Sequence, residues 1–420
     1  MEDNDLVGRA GSPEQLLLEF ITAAVHQGAS AVHVEPSGEQ RLEEVRVRLR
    51  REGVLVHHRT LPREMLPGLL SAVKRMAALD ETEHRLPQDG RSLITVALPA
   101  TAGAGERVVE LRISVVPVLW GEQFVVRWID ASPRTRPLAD LGLDGVSLLR
   151  LDARLKNPSG LVLVSGPSGS GKTTTLYSML GSLDHEGRKI CTAEEPVEHA
   201  LRGITQVPCR PELGLTLAAA TRSLLRQDPD VLLVGQTQDY ETAELALKIA
   251  LGGRLVLSSV HANDAAAVFG RFIDLGLEPA LVVDGVTAIV AQRLVRKVCL
   301  ECRVLEDLAD EDRVHLAITT ALLRSIGMPE LGEAPLRVPR PVGCPACGGS
   351  GYRGRTGLFE VLAVSPAIRR VIMNGGSCAE LTGVARAEGM ITLRQAGVRQ
   401  ALQGVTTLTE CLRVTAPDQG

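Results

Sequence analysis

Aromatic side chains are scarce in this chain: five Phe, three Tyr and two Trp among 420 residues, or 2%. Holding a single-stranded nucleic acid by stacking its bases on aromatic platforms needs a density of rings that so few residues cannot supply. Positive charge is not in excess either. Forty-six Lys and Arg face 50 Asp and Glu, for a formal charge of −4, so no bulk field draws in nucleic acid or an anionic membrane. No apolar run approaches the roughly 18 residues of a membrane helix, and the acidic opening MEDNDLVGRA leads into no apolar signal segment. The expectation is a cytoplasmic protein without a transmembrane segment. In that reducing setting the eight cysteines are expected to be thiols or metal ligands rather than disulfides.

What is present is the balance of an ordinary folded protein, 45% apolar and 23% charged, with length enough for about three domains. From Pro13 the spacing of apolar residues predicts a helix that stops at Gly28. Alternating runs at Val32–Val34, Val45–Leu49, Ser92–Leu98, Val108–Val116 and Phe124–Trp128, with a helix from Arg63 to Leu79, predict a small α/β domain ending near Ile129. The segment 131–137, ASPRTRP, reads as a linker. Beyond it, short apolar runs at Gly160–Ser165, Ile190–Ala193, Val231–Val234 and Leu255–Ser259 alternate with helices, the signature of a doubly wound parallel sheet buried on both faces. Such sheets bind ligands beyond the C-terminal ends of their strands.

The first run feeds into Gly166-Pro167-Ser168-Gly169-Ser170-Gly171-Lys172-Thr173-Thr174, which is GxxxxGK(S/T) between a strand and a helix. Glycines let the backbone N–H groups turn inward around phosphates, Lys172 can reach the β and γ oxygens, and Thr173 offers a hydroxyl to Mg²⁺. The pattern predicts a bound nucleoside triphosphate. After the second run stand Glu194, Glu195 and Glu198, carboxylates placed to orient an attacking water or to form a solvated acidic loop. After the third run, where a Walker B acid would be sought, stands Gln236. Two CxxC pairs, Cys299/Cys302 and Cys344/Cys347, with 41 residues between them, can close a tetrahedral shell around a structural Zn²⁺, the alternative being two reduced pairs. Cys191, Cys209, Cys378 and Cys411 read as buried apolar residues. A helical insert is expected from Leu308 to Ile326, and amphipathic helices from Ser365 onward.

Together these residues resemble the secretion ATPases of type II secretion and type IV pilus systems. The resemblance runs through GASAVHVEP at 28–36, RLPQDGR at 85–91, LRIS at 111–114, GEQFVVRW at 121–128, the phosphate loop, EEPVE at 194–198, LLRQDPDVLLVG at 224–235, ETAELA at 241–246, LSSVHANDA at 257–265, AQRLVRKVC at 291–299 and GYRGRTGLFEVL at 351–362. It implies an N-terminal α/β domain (1–130) joined by a linker (131–140) to a RecA-like domain (141–297), a four-cysteine zinc subdomain (298–356) and a C-terminal helical subdomain (357–420). It also implies hexamers or mixed rings that use ATP to assemble pilins or pseudopilins through inner-membrane platform proteins, peripheral on the cytoplasmic face. By the same carry-over Glu194 or Glu198 positions the water, His261 senses the γ-phosphate, and Arg91 and Arg112 reach toward the nucleotide; each of the last three also has an ordinary structural reading, as a satisfied histidine or surface ion pairs.

Three departures stand out. The usual Gly-Glu-Ile-Arg-Asp after the Walker B strand reads Gly235-Gln236-Thr237-Gln238-Asp239, which removes an acid and an arginine. Glutamine can neither accept a proton nor balance a metal charge, and the loss of one such group commonly lowers turnover by about 10²–10⁴-fold while phosphate binding survives. Arg254 stands where histidine is often found, and the N-terminal domain begins almost at Met1, without the extra module many members carry. The leading expectation is an ATP-hydrolysing motor. A nucleotide-binding partner subunit with impaired hydrolysis is the second, and a RecA-like DNA translocase the third, disfavoured by the acidity and scarce aromatics.

Overall fold

The computed structural model describes residues 11–37, 44–98, 105–129, 135–183, 185–332 and 335–417. The chain divides into two compact units, Met1–Ser132 and Pro133–Gly420. Four residues of the expected linker, 131–134, lie outside the described residues; Pro137 precedes a short 3₁₀ turn at Leu138–Leu141.

In the first unit the elements run α1 (Pro13–His26), β1 (Ala29–Pro36), β2 (Glu44–Arg51), β3 (Val54–Pro62), α2 (Leu66–Met76), β4 (Gln88–Leu98), β5 (Gly105–Val118) and β6 (Gly121–Ile129). The six strands form one antiparallel sheet in the order β3-β2-β1-β6-β5-β4. α1 starts on a capping box in which Ser12 and Gln15 exchange bonds, which satisfies N–H groups that the first turn leaves unpaired. It ends at His26, two residues short of Gly28, which sits just past the cap at φ +66° where a Cβ would be strained. β3 is absent from the strands expected above. Most of its residues face solvent at the sheet edge and a register shift opposite Val47 and Arg48 breaks its alternation, so no period of two is visible. Leu17, Phe20 and Ile21 of α1 and Leu69 and Val73 of α2 cover one sheet face, meeting Val32, Val47, Leu111 and Val126.

The second unit begins with α3 (Gly145–Leu155), β7 (Gly160–Ser165), α4 (Lys172–Gly181), β8 (Ile190–Glu194), β9 (Thr205–Pro208), α5 (Leu217–Leu225), β10 (Val231–Gln236), α6 (Tyr240–Leu251) and β11 (Leu255–Val260). There follow α7 (Ala267–Asp274), α8 (Pro279–Gly285), β12 (Val286–Val298), β13 (Val304–Asp307), α9 (Asp310–His315), α10 (Thr320–Ser325), β14 (Arg337–Arg340) and β15 (Tyr352–Ala363). The last helices are α11 (Pro366–Met373), α12 (Cys378–Ala387), α13 (Leu393–Leu402) and α14 (Leu408–Val414). Seven strands make the main sheet in the order β15-β12-β7-β11-β10-β8-β9, parallel throughout except at β15. β7, β8 and β11 are buried along their whole length, as the apolar runs predict, with one core on each side of the sheet.

Three of these strands, β9, β12 and β15, go beyond the expected set, and the last two are neighbours. β12 and β15 pair antiparallel from Ala288↔Ala363 to Val298↔Tyr352. The boundary expected between 356 and 357 therefore falls inside β15, and the segment from 357 opens with a strand before its helices. The insert expected as a helix over Leu308–Ile326 is two short ones, α9 and α10, beside the β13–β14 hairpin. Cys191, Cys209 and Cys411 are buried as expected, but Cys378 is exposed, at the first position of α12.

Two sets of contacts tie the C-terminal part to the sheet. Gln400 Nε2 donates to Gly357 O (2.8 Å) and Gly142 O (3.2 Å), and Thr356 Oγ1 donates to Leu141 O (3.5 Å), so β15 holds the segment that leads into the unit. Buried Glu410 of α14 accepts from Arg296 N, from the Arg296 guanidinium at 2.7 Å and from both ends of the Arg413 fork. Burial alone would raise its pKa; the bonds from Arg413 and Arg296 outweigh it and hold the carboxyl down at about 2. A depressed carboxyl stabilises the fold above its unfolded value, near 4.5, and that contribution is lost as the pH falls toward 2. Glu410→Gln is expected to cost about 3 kcal/mol at pH 7, because two arginines lose a buried anion, and the gap to wild type should narrow below pH 4.5. Urea denaturation of both proteins across pH 7 to about 2.5 checks both the size and the trend.

Candidate functional site

The loop after β7 can close because of two glycines. Gly166 (φ +151°) is approached so closely that a Cβ would lie 2.6 Å from Ser170 Oγ and 2.7 Å from Gln292 O; Gly171 (φ +91°) caps α4 in the left-handed region. Pro167, Ser168 and Gly169 are exposed while Ser170 is buried, so the loop's rim faces outward over an anchored base. Lys172, Thr173 and Thr174 occupy the first turn of α4, whose unpaired N–H groups and dipole favour an anion. The Lys172 ammonium folds back onto its own loop, donating to Gly166 O (2.7 Å) and Pro167 O (3.1 Å). Burial, and then the charge of Arg293, lower its pKa to about 8.

His261 follows β11, which pairs parallel with β7 up to Val260↔Ser165. Its Nδ1 lies 3.0 Å from Gly166 O and 3.4 Å from Lys172 Nζ. A carbonyl only accepts and an ammonium only donates, so Nδ1 serves Gly166 O in one tautomer and Lys172 in the other, the latter leaving an N–H on the opposite ring nitrogen. The next strand, β10, ends at Gln236, whose side-chain nitrogen is buried with no partner among the described residues, a donor left over where a carboxylate would have been an acceptor. Asp239 is not a substitute: both its oxygens cap α6, on Thr242 N (2.8 Å) and Thr242 Oγ1 (2.9 Å).

The acidic box separates into two kinds of carboxylate. Glu194 is buried and accepts from Tyr177 OH, Thr192 Oγ1 (2.5 Å) and Gln206 Nε2 (3.1 Å). Burial and this bond to Glu194 push the Tyr177 hydroxyl well above its ordinary pKa, so it stays a donor. Glu195 and Glu198 are exposed, and the Glu198 N–H bonds back to Tyr177 OH (3.3 Å). Glu194 is thus held by three donors, whereas Glu198 is free to meet solvent.

In the first unit Arg91 and Arg112 are directly opposed on β4 and β5, and Arg112 is opposed in turn by Arg127 on β6. The three arginines line a cavity of about 620 Å³ together with Asp89 and Ser114, and Arg112 Nε is buried without a partner. Arg91 meets Glu110 in an exposed ion pair (3.7 Å), the ordinary reading given above, while like charges abreast at Arg112 and Arg127 repel and suit an anion. Sequence alone does not single out Arg127, because cross-strand register is invisible there. Nor does it single out Tyr177, Gln292 and Arg293, although Gln292 and Arg293 lie inside the motif AQRLVRKVC.

The four motif cysteines do converge, their sulfurs all within 4.8 Å of one another. Cys299–Cys344 and Cys344–Cys347 are 3.8 Å apart and Cys302–Cys347 3.9 Å. Sulfurs about 2.3 Å from one tetrahedral zinc would be about 3.8 Å apart. Backbone N–H groups of Gly343, Cys344 and Gly351 donate to Cys302 and Cys347 sulfurs, as thiolates require. The donor set fits a closed, four-sulfur zinc site.

A glycine-built loop between a buried parallel strand and a helix, with a lysine at the helix start, defines a P-loop nucleotide-binding protein with a RecA-like sheet. Residues 9–413 match the family model described as "Type II/IV secretion system protein". The chain is 40% identical over 396 residues to the type IV pilus assembly ATPase PilB of Myxococcus xanthus, covering 94% of this chain and 66% of that one. It is 39% identical over 402 residues to the type II secretion system protein HxcR of Pseudomonas aeruginosa, covering 96% and 77%. Among solved structures, the X-ray structure of the Legionella pneumophila ATPase DotB shares the fold, with a TM-score of 0.64 at 17% identity over 96% of this chain and 95% of that one. The chain belongs to the type II/IV secretion system protein family, and it spans just under two thirds of the length of the Myxococcus relative.

The burial contrast in the acidic box has a direct consequence. Glu194→Ala leaves Tyr177, Thr192 and Gln206 with unmet polar groups and should cost about 2 kcal/mol or more. Glu198→Ala, at the surface, should stay within about 0.5 kcal/mol of wild type. Thermal denaturation of the two variants measures the difference; equal losses would mean that Glu198 is also built into the fold.

Proposed function

We propose that this chain is an ATP-hydrolysing motor subunit that powers the assembly of pilins or pseudopilins in a type II secretion or type IV pilus machine. The observation that carries the reading is the meeting of Lys172 and His261 on Gly166, which puts two phosphate-seeking groups at the mouth of the loop. On ATP binding, Lys172 leaves the carbonyls of its own loop for the β and γ oxygens, while Gly166–Gly171 turn their N–H groups inward. His261, through the ring nitrogen that does not face Gly166, reads the γ-phosphate. Glu198 orients the attacking water, and Glu194 fixes Tyr177, whose hydroxyl steadies the turn that bears Glu198. Thr173 would hold Mg²⁺, which when bound neutralises phosphate charge.

The same reading takes the chain as a member of a homohexamer or mixed ring on the cytoplasmic face of the inner membrane, docked on platform proteins and without nucleic acid. Among the described residues no helix is long and apolar enough to cross a membrane. Cys299, Cys302, Cys344 and Cys347 would hold Zn²⁺, whose contribution is to cross-link the start of the β13–β14 insert to its end. A second reading, a nucleotide-binding partner with impaired hydrolysis, is favoured by one feature: Gln236 keeps the volume of the acid but presents a buried, unpaired donor.

Steady-state ATP hydrolysis separates the two. Wild type should exceed Lys172→Ala, and Gln236→Glu should raise turnover by at least about tenfold; ATP binding without turnover makes the chain a partner subunit, and an unchanged rate in Gln236→Glu refutes the role given to position 236. Elemental analysis should find about one zinc per chain, lost in Cys347→Ser together with a fall in melting temperature of about 5 °C or more. Protein free of zinc and indifferent to chelators would mean two reduced cysteine pairs instead.

A further inference from the structure

Arg293 occupies the position on β12 after Gln292, whose Nε2 donates to Ser170 O of the phosphate loop (2.7 Å) and whose carbonyl crowds Gly166. Its guanidinium is fixed by two neutral acceptors. One nitrogen donates to Gln292 O (3.0 Å), and another to Asn263 O (2.6 Å), two residues beyond His261. Arg293 therefore bridges the strand beside the loop and the segment that carries His261. We propose that Arg293 binds the terminal phosphate of the nucleotide from the same chain as the loop, and that its capture frees residues 261–265 from β12.

This inference rests on the nucleotide reading and adds a phosphate contact and a switch to it. Two observations support it. First, the Arg293 guanidinium donates to carbonyls rather than to a carboxylate: the charges of Asp264 and Glu360 act on it, but Asp264 accepts from Ala267 N and Glu360 from Ala265 N and Leu393 N. Second, Lys172 is in the same condition beside it, bonded to the carbonyls of Gly166 and Pro167 rather than to an anion. Two partly buried cations hydrogen-bonded to carbonyl dipoles, one of them offset in part by the charges of Asp264 and Glu360, leave room for an anion, and a phosphate between them supplies it. Arginine suits the task because its planar fork meets two phosphate oxygens at once, which the carbonyls of Gln292 and Asn263 do not exploit. The proximity of the two cations also shows in the proton affinity of Lys172, which the Arg293 charge lowers after burial has done so. Because one guanidinium nitrogen holds Asn263 O in the absence of phosphate, the fork cannot be given to a phosphate without loosening that hold. His261 and the start of α7 then respond to the third phosphate, which ADP lacks.

The test compares a non-hydrolysable ATP analogue with ADP in binding titrations of the full chain, with amide hydrogen exchange read at 261–265. Arg293→Ala should weaken the analogue by about tenfold or more, as expected for losing a charged hydrogen-bonded contact, and ADP by less than about twofold. Arg293→Lys, which keeps the charge and makes the smaller change to the fold, should lie between Ala and wild type. In wild type the analogue should raise exchange at 261–265 and ADP should not, a difference absent from Arg293→Ala. Equal weakening of both nucleotides, with exchange at 261–265 already raised in the free variant, assigns Arg293 to structure alone and overturns the proposal, as does unchanged affinity for both. A wild-type chain that binds neither nucleotide, behaving like Lys172→Ala, overturns the nucleotide reading itself, and this inference with it.

Discussion

The position of β7 between two parallel neighbours governs the second unit. Its pairing with β11 ends at Ser165↔Val260 and its pairing with β12 at Ser165↔Ala291, so the next residue on each flank, His261 and Gln292, emerges beside Gly166. That glycine then touches the lysine of its own loop, the histidine of one neighbour and the backbone of the other. A register slip of one residue on either side would exchange the two faces of the strand and send these groups into the cores. The burial of β7 and β11 along their full length makes such a slip expensive, which is how an apolar core fixes polar groups to within hydrogen-bonding distance.

What is legible in the sequence follows from what is local. The phosphate loop is contiguous, and its glycines are demanded by its own backbone, so Gly166–Thr174 can be named from the order of residues alone. The cysteine knuckles are nearly as local, each pair spanning four residues, although the N–H groups that ready the sulfurs for a metal come from Gly343 and Gly351, outside the CxxC pattern. Distant pairings are not legible. β12 and β15 are separated by the whole zinc insert, and β15 carries glycines at 354 and 357 that read as a turn. Arg127 gains its meaning only from lying opposite Arg112, and the division between Glu194 and Glu198 depends on Tyr177, contributed by another element.

Charge is distributed unusually in both units. Cations are abundant: Lys172 and Arg293 lie at the phosphate loop of the second unit, and Arg91, Arg112 and Arg127 stand in a row on the sheet of the first. Acids with free oxygens are few at the loop, since Glu194 and Asp239 are each engaged in internal bonds and position 236 is an amide. A site of this balance is suited to holding phosphate more than to cleaving it, because binding draws on the cations while hydrolysis also needs a carboxylate to place the water. On the proposed reading, Gln236 would bear on the rate of the chemistry more than on occupancy.

The bonds that join Leu141 and Gly142 to Thr356, Gly357 and Gln400 give the second unit a mechanical property as well as stability. The chain enters the sheet domain through this segment, which is fastened to β15 rather than left as a slack tether. β15 lies hydrogen-bonded along β12, the strand that bears Gln292 and Arg293. Tension or rotation arriving at residues 141 and 142 would bear on the sheet edge at β15, two strands from β7, which feeds the phosphate loop, so the joint is built as a short stiff lever.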